Sequence, residues 1–394
     1  MAIFCCCCPK VPLSPSSSRQ ASREASAEAA ASGALSESGS ADASGASAKQ
    51  ARKAGAILHR WHRDINLDGG FSSSRWQGRE FAKLQKVDER TVGYAKFSAF
   101  QEQRLLQHFQ AEQRESPKSN ARFLICLLDD FSHNSTLFLV FNRLQESLFD
   151  AVTDNRVGPD DVAVISIAVL SGLDALHKEH IVHRDIKPDN IVLSYPLDST
   201  RIKLIDFGAV HIKAESTIDM DDLNTEFAAG KADLASLMEG TLRQSHFMSP
   251  QAAFNRFSFM AQQQMANDPA NKAPYEARLQ RLTTDAPISG EVSYDSDVKS
   301  ACLVFTFVLC EGRIPHLRQH QGRHIVSLEK RALGQMSSFC SNFAAHEGPL
   351  SVLNTALSAR VDPTDTSVAE KLLQDIQAIT AALEPAAAAA IESK

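Results

Sequence analysis

Short apolar runs and longer periodic stretches follow one another along the middle of the chain. Two runs, Phe123–Leu128 and Leu137–Phe141, predict a pair of strands joined by a turn at Ser132 to Ser135. After Pro159, apolar residues recur at helical spacing and predict a core-facing helix: Val162, Ile165, Val169, Leu173 and Leu176. Two further runs predict short strands, Ile191–Leu193 and Ile202–Ile205. The pattern therefore predicts strands first and mostly helices afterwards.

The same pattern predicts elements on either side of this region. Phe81–Val87 and Thr91–Lys96 have the composition of two strands with a turn between them, and Ser98 to about Glu115 has that of a helix. The apolar stretch Cys302–Leu309, preceded by Asp297, predicts a buried helix.

The N-terminal part has a different composition. From about Pro12 to Arg52 the chain consists mainly of Ser, Ala, Gly and Glu and has no aromatic residue. Such a segment buries too little apolar surface to offset its chain entropy, so it is predicted to be disordered. It has the composition of a linker, a phosphorylated tail or a bacterial export signal, and the sequence does not separate these three.

The net charge and the cysteine content argue against some classes of protein and favour others. The 394 residues carry a formal net charge of −6, which argues against a general nucleic-acid binder. No stretch approaches the apolar length of a membrane span. Four scattered cysteines are predicted to be reduced, buried thiols of an intracellular protein: Cys126, Cys302, Cys310 and Cys340. The adjacent Cys5–Cys8 predict either S-acylation or a reactive unstructured terminus, and not a zinc site.

Two polar motifs carry the chemistry. The first is His183-Arg184-Asp185-Ile186-Lys187-Pro188-Asp189-Asn190, and the second, after a short apolar run, is Asp206-Phe207-Gly208. The amide of Asn190 and the carboxylate of Asp206 are oxygen ligands of the kind that Mg²⁺ prefers. Together the motifs resemble the catalytic loop and the metal-binding loop of the eukaryotic-type protein kinase family.

The resemblance implies an α+β, two-lobed fold with a small β-rich N-lobe and a larger helical C-lobe. It implies ATP as substrate, Asp185 as catalytic base and Lys187 beside the transferred phosphoryl group. Asn190 and Asp206 are the expected Mg²⁺ ligands. Lys187 also favours a Ser/Thr acceptor over Tyr, and Arg184 resembles the arginine that pairs with a phosphate on the activation segment.

The residues expected to bind the nucleotide match the family pattern less well. By resemblance, Lys96 is expected to be the phosphate-binding lysine and Glu102 its partner, although only six positions separate them. Phe141 is expected to be the gatekeeper at the back of the nucleotide pocket, with Leu144 and Val192 as further nucleotide contacts. The glycine-rich phosphate loop is degenerate: one glycine, Gly78, remains out of register before Phe81, and Gly69-Gly70 is isolated.

These expectations divide the chain into four parts. Residues 1–56 are the disordered tail, 57–144 the N-lobe, 145–380 the C-lobe and 381–394 a flexible C-terminal tail. The C-lobe contains the catalytic loop 183–190, the motif 206–208, an activation segment 206–251 and an insertion 252–293. The acidic middle of the activation segment is predicted to be a solvated loop.

The predicted function is that of a protein Ser/Thr kinase, with two alternatives left open. One is a pseudokinase that acts as a scaffold, and the other is an enzyme that uses this fold to transfer a group other than phosphate. The expected partners are protein substrates, including basic ones, and either an upstream activating kinase or autophosphorylation, but no nucleic acid. The expected location is the cytoplasm, with a membrane tether through Cys5–Cys8 or export into a host cytoplasm as alternatives.

Overall fold

A four-stranded antiparallel sheet opens the part of the chain that the structure describes. The computed structural model describes residues 72–77, 80–241, 293–313, 346–358, 361–362 and 364–378, with a few isolated positions such as Phe247 and Cys340. From Ser74 onward the described residues belong to one compact unit. The sheet has the order β1-β2-β4-β3, and its strands are β1 (Ser72–Gln77), β2 (Glu80–Lys86), β3 (Leu127–His133) and β4 (Thr136–Asn142).

β4 is one of the two inner strands of this sheet, and its apolar residues Leu137–Phe141 are buried, as the run predicted. It pairs with β2 in a register that places Lys83 opposite Leu139 and Phe81 opposite Phe141. Its turn to β3 is formed by Asn134 and Ser135, both with positive φ, which a two-residue hairpin turn requires.

The prediction of a strand over Phe123–Leu128 was wrong in its position. Asn120–Phe123 is a 3₁₀ turn and β3 begins only at Leu127. The intervening Leu124 is buried and forms a bridge to Leu204, so this apolar run joins the sheet to the second part of the fold instead of extending β3.

A long helix, α1 (Gly93–Glu115), packs beside the sheet. The prediction of a strand over Thr91–Lys96 was therefore wrong. Asp88 accepts hydrogen bonds from the Arg90 amide and the Thr91 hydroxyl, which closes a turn immediately before the helix. The buried positions from Phe97 to Phe109 recur every three or four residues, and this helical period outweighs the short alternation of polar and apolar residues before it.

The second part of the fold is mainly helical. Its helices are α2 (Leu148–Thr153), α3 (Val162–Lys178), α4 (Asp221–Glu226), α5 (Ala228–Thr241), α6 (Tyr294–Leu309) and α7 (Glu347–Ser358), and residues 368–378 are also helical. Short strands accompany them: β5 (Glu146–Ser147), β6 (Ile181–Val182), β7 (Ile191–Leu193), β8 (Ile202–Leu204) and β9 (His211–Ile212). α3 begins after the 3₁₀ turn Pro159–Asp161, and its predicted apolar stripe lies in the core. Within the described residues, no helix combines the length and apolarity needed to cross a membrane.

Three further expectations have different outcomes. The middle of the activation segment is not a solvated loop, since it folds into α4 and α5. Cys310 and Cys340 are not separate thiols, because they form a disulfide with Cα atoms 4.5 Å apart, whereas Cys126 and Cys302 are free. The predictions for residues 1–56, for nearly all of the insertion 252–293 and for 381–394 lie outside the described residues.

Helix α6 fixes the loop that follows β6. Its Asp297 is 1% exposed, and its carboxylate accepts hydrogen bonds from the His183 amide at 2.6 Å and the Arg184 amide at 2.8 Å. His177 Nε2 of α3 lies 3.2 Å from the same carboxylate. A buried backbone donor needs a partner, and Asp297 supplies one to two successive amides.

We expect Asp297→Ala to lower the free energy of unfolding by about 2–4 kcal/mol, because two buried backbone donors lose their acceptor at roughly 1–3 kcal/mol each. Denaturant unfolding of the purified protein measures this. Asp362→Ala is the control, since Asp362 is exposed and its carboxylate accepts hydrogen bonds from Thr364 in a local turn. Equal losses in the two variants would contradict the role given to Asp297.

Candidate active site

The loop between β6 and β7 gathers three of the predicted site residues. Asp185 Oδ2 lies 2.6 Å from Lys187 Nζ and accepts a hydrogen bond from Asn190 Nδ2 at 2.9 Å. The same Asn190 nitrogen also donates to the Asp185 carbonyl oxygen at 2.8 Å. The structure therefore places Asp185, Lys187 and Asn190 in one hydrogen-bonded group.

The first residue of the Asp206-Phe207-Gly208 motif lies close to a lysine of the sheet. Lys83 Nζ on β2 is 2.9 Å from Asp206 Oδ1 and 2.7 Å from Glu102 Oε2 on α1. All three side chains are nearly inaccessible to solvent, with Lys83 at 11%, Asp206 at 9% and Glu102 at 2% exposure. One buried cation thus joins two carboxylates from separate parts of the fold.

Glu102 was expected to pair with Lys96, and that pairing was wrong. Lys96 lies in the first turn of α1, and the cation that contacts Glu102 is Lys83. The physical reason is the helix itself: α1 starts at Gly93, so Lys96 and Glu102 are on the same helix and Lys96 is on no strand of the sheet. The short separation of Lys96 and Glu102 in sequence was the one indication available beforehand.

Glu102 has further partners that sequence reasoning missed. Gln85 Nε2 donates to Glu102 Oε2 at 3.0 Å, and the backbone amide of Phe207 donates to Glu102 Oε1 at 3.2 Å. Gln85 follows Lys83 by two positions on β2, so both side chains point to the same face of the strand. Alternation along Phe81–Val87 was the signal that could have found this pair.

Helix α1 also binds the backbone that follows the motif. Ser98 Oγ donates to the Gly208 carbonyl oxygen at 2.6 Å, and Gln101 Nε2 donates to the Val210 carbonyl oxygen at 2.9 Å. Together with Glu102, these side chains bind three backbone groups between Phe207 and Val210. The orientation of the motif therefore depends on the position of α1.

Two residues of the site have strained backbones. Arg184 has φ of 70° and Asp206 has φ of 67°, in the left-handed region that costs a residue with a side chain about 1–3 kcal/mol. Each is held by buried contacts, Arg184 through its amide to Asp297 and Asp206 through Lys83. The surrounding hydrogen bonds thus stabilise a conformation that the chain would not adopt alone.

The remaining predicted positions are distributed as follows. His183 is buried, and its Nδ1 and Nε2 lie 3.3 Å from the Asp185 amide and the Ile205 carbonyl, which agrees with a structural role. Phe141 is the last apolar residue of β4 and is buried, with its ring centroid 6.1 Å from that of Phe81. Leu144 is partly buried just beyond β4, and Val192 is buried on β7. Their contact with a nucleotide stays a prediction.

The pKa values of Asp185 and Asp206 are shifted in opposite directions. Burial raises the pKa of Asp185, and the nearby Lys187 offsets only part of that effect. Burial would also raise the pKa of Asp206, but the contact with Lys83 outweighs it and lowers that pKa below its usual value. The site thus holds one carboxylate that takes up a proton readily and one that stays charged.

Comparison with known proteins agrees with this geometry. Residues 82–230 match the family model described as a protein kinase domain. Over these residues the chain is similar to the eukaryotic-type Ser/Thr protein kinase family. The four-stranded sheet, the helices that follow it and the two polar motifs agree with this similarity, as the sequence predicted.

Three relatives illustrate the similarity of the kinase domain. Over 130 residues the chain is 31% identical to cyclin-dependent kinase 7 of Dictyostelium discoideum, which is 32% of each chain. Over 86 residues it is 42% identical to the serine/threonine-protein kinase shk1/pak1 of Schizosaccharomyces pombe, 22% of this chain and 13% of that protein. Over 91 residues it is 40% identical to the serine/threonine-protein kinase pakA of Talaromyces marneffei, 23% of this chain and 14% of that protein. The match therefore spans a third or less of these relatives.

The opposite pKa shifts predict opposite effects on stability. A carboxyl whose folded pKa is raised loses stability as pH rises from its unfolded pKa, about 3.9, to the folded one. Asp185→Asn removes this loss, so its melting temperature should exceed that of the wild type at pH 7, and the gain should vanish near pH 4.

Asp206→Asn should behave in the reverse way. A depressed folded pKa contributes stability above the unfolded pKa and loses it as pH falls through the folded pKa. The variant should therefore melt below the wild type at pH 7, with a smaller deficit as pH falls below about 4. Thermal unfolding across this pH range measures both variants, and shifts of the same sign would contradict the two assignments.

Proposed function

We propose that the chain is a protein serine/threonine kinase that transfers the γ-phosphoryl group of ATP to protein hydroxyl groups. The observation that carries this is a pair of polar clusters: Lys83 with Glu102 and Asp206 in one, and Asp185 with Lys187 and Asn190 in the other. Phosphoryl transfer requires a positioned hydroxyl, a cation on the phosphates and charge stabilisation, and these groups can supply each of them.

Asp185 is proposed as the base. The substrate hydroxyl would donate its proton to the Asp185 carboxylate while its oxygen forms the new bond to phosphorus and the bond to the departing ADP breaks. A raised pKa makes Asp185 a better proton acceptor than an exposed carboxylate. Lys187, 2.6 Å from the carboxylate, holds it in place and offsets negative charge on the transferred group.

The donor set of the site fits Mg²⁺. The nitrogen of the Asn190 amide donates to Asp185, which leaves the amide oxygen as the ligand atom, and the low pKa of Asp206 keeps its carboxylate charged. Two oxygen ligands are few, but Mg²⁺ usually shares its remaining positions between water and substrate phosphates. When bound, the ion would neutralise phosphate charge.

Lys83 is proposed as the lysine that binds the nucleotide phosphates, in place of Lys96. A lysine on a strand of the sheet, paired with a glutamate of the adjacent helix, is the arrangement that holds the α- and β-phosphates in protein kinases. With Lys83 in this role, Gly69-Gly70 precedes the hairpin that carries it, so we propose these glycines as the phosphate loop in place of Gly78. Gly69 and Gly70 lie outside the described residues.

The rest of the proposal concerns substrates and control. Several acidic side chains on and beside α4 and α5 are exposed, which supports a preference for basic protein substrates: Asp219, Asp221, Asp222, Glu226 and Asp233. Arg184 and Lys213 line a cavity of about 640 Å³ together with Ser216 and Thr217. That arrangement supports control by phosphorylation of either hydroxyl, by this chain or by another kinase. A membrane tether at Cys5–Cys8 and cytoplasmic location complete the proposal.

The alternative function is that of a pseudokinase scaffold. The feature that favours it is the scarcity of glycines before β2. Against it, a scaffold requires neither the metal ligands nor the strained backbones at Arg184 and Asp206, which lower stability.

Comparing Lys83→Met with Lys96→Met tests the proposal. We expect Lys83→Met to lower phosphate transfer to a mixed protein substrate by about 100-fold, because it removes a buried cation from the phosphates. Lys96→Met should retain wild-type transfer. Mass spectrometry of the products detects phosphoserine and phosphothreonine and would reveal a nucleotidyl adduct, the mark of another chemistry.

Asp185→Asn is the second variant of this test, and it should abolish transfer while ATP binding is retained. A wild-type protein that binds Mg-ATP but transfers nothing would overturn the proposal in favour of the scaffold. Loss of transfer in Lys96→Met with full transfer in Lys83→Met would overturn the assignment of the lysine.

A further inference from the structure

Helices α4 and α5 of the activation segment pack against α1, the helix that carries Glu102. The contact has three parts, spaced along one face of α1 at Gly93, Phe100 and Arg104. These positions are seven and four residues apart, which a helical period places on the same side. Ser98, Gln101 and Glu102 bind the start of the segment, so one segment contacts α1 in two places.

The first part is a contact between two glycines. A Cβ atom on Gly230 of α5 would lie 2.3 Å from the Gly93 carbonyl oxygen and 3.1 Å from the Tyr94 amide nitrogen. Both obstructing atoms belong to the backbone, so no side-chain rotation relieves the clash. The backbones of α1 and α5 can therefore approach this closely only because residue 230 is glycine.

The other two parts are an aromatic stack and an ion pair. The rings of Phe100 and Phe227 are stacked with centroids 5.6 Å apart. Arg104 Nη2 lies 2.6 Å from Asp222 Oδ2, and its Nη1 donates to the Asp219 carbonyl oxygen at 3.2 Å. The ion pair is largely exposed and adds little stability, whereas a stacked aromatic pair stabilises a contact beyond its buried area.

We propose that this contact is a brace that holds α1 where Glu102 pairs with Lys83, and that Phe227 and Gly230 are positioning residues for that pair. The inference rests on the proposed function for its consequence in catalysis. The brace comes from within the chain, since α1, α4 and α5 belong to one polypeptide. Any outward movement of α1 must break the glycine contact and the stack before it can withdraw Glu102 from Lys83.

Gly230→Ala and Gly158→Ala form a matched pair to test the brace. The added methyl group clashes with backbone at position 230 but meets nothing within 4 Å at position 158. Alanine raises helix propensity by about 1 kcal/mol over glycine, so intrinsic propensity alone would make α5 more stable in Gly230→Ala. A loss of function in that variant therefore reports the contact with α1.

The primary readout is the rate at which an amine-reactive reagent labels Lys83, measured by mass spectrometry of the full chain. We expect about a tenfold rise in Gly230→Ala, the population change that an overpacking cost of roughly 1.4 kcal/mol produces. Phe227→Ala should raise the rate in the same direction without adding volume. Gly158→Ala should label like the wild type, and circular dichroism would verify that all variants are folded.

Phosphate transfer is the second readout. If the wild type is active, Gly230→Ala should lower kcat with little change in the KM for the protein substrate, because the position of Lys83 and not the substrate surface is altered. Equal labelling of Lys83 in all variants would overturn the brace, and so would a rise in kcat, which would make the segment inhibitory. An inactive wild type would overturn the proposed function only, since labelling still tests the brace.

Discussion

The carboxylate of Glu102 is the point on which the site depends. It accepts two hydrogen bonds from Lys83, one from Gln85 and one from the Phe207 amide, and it is almost completely buried. A buried charge with no partners costs several kcal/mol, whereas one with a full set of donors is tolerated and fixes their geometry. Through these donors a single side chain sets the relative positions of β2, α1 and the Asp206-Phe207-Gly208 motif.

Asp297 has the corresponding role in the helical part of the fold. It accepts hydrogen bonds from the successive amides of His183 and Arg184 and contacts His177 of α3. Each carboxylate therefore accepts hydrogen bonds from the backbone of one of the two polar motifs, and each belongs to a helix. The strained backbones of Arg184 and Asp206 are stabilised by this arrangement, because each residue lies beside one of the two carboxylates.

The polar motifs and the central strand could be predicted because their information is local. The spacing within residues 183–190 and the apolar run Leu137–Phe141 each define one element without reference to the rest of the chain. The lysine of the site could not be assigned in this way. Lys83 and Lys96 both lie in short stretches of alternating polarity, and what separates them is the start of α1 at Gly93, which depends on the tertiary packing of Phe97 through Phe109.

The structure of the activation segment was mispredicted for the same reason, because it depends on tertiary packing. Its acidic composition predicted a solvated loop, yet Phe227 and Gly230 contact α1, while Asp219, Asp221 and Asp222 remain exposed. A close contact between two glycines has no signature in sequence, since glycine is equally common in turns. The expected nucleotide contacts of Phe141, Leu144 and Val192 are a prediction from the family resemblance alone.

The polar contacts of the site join residues far apart in sequence, and this affects when the site forms during synthesis. Lys83 and Asp206 are 123 residues apart, Glu102 and Phe207 are 105 apart, and His183 and Asp297 are 114 apart. Contacts between such distant residues form late, after the entropy of closing long loops has been offset by other packing. During synthesis, Lys83 and Glu102 leave the ribosome well before Asp206 and Asp297. A nascent or truncated chain therefore lacks an assembled site, so any activity of this chain begins only once α6 has been synthesised and has docked.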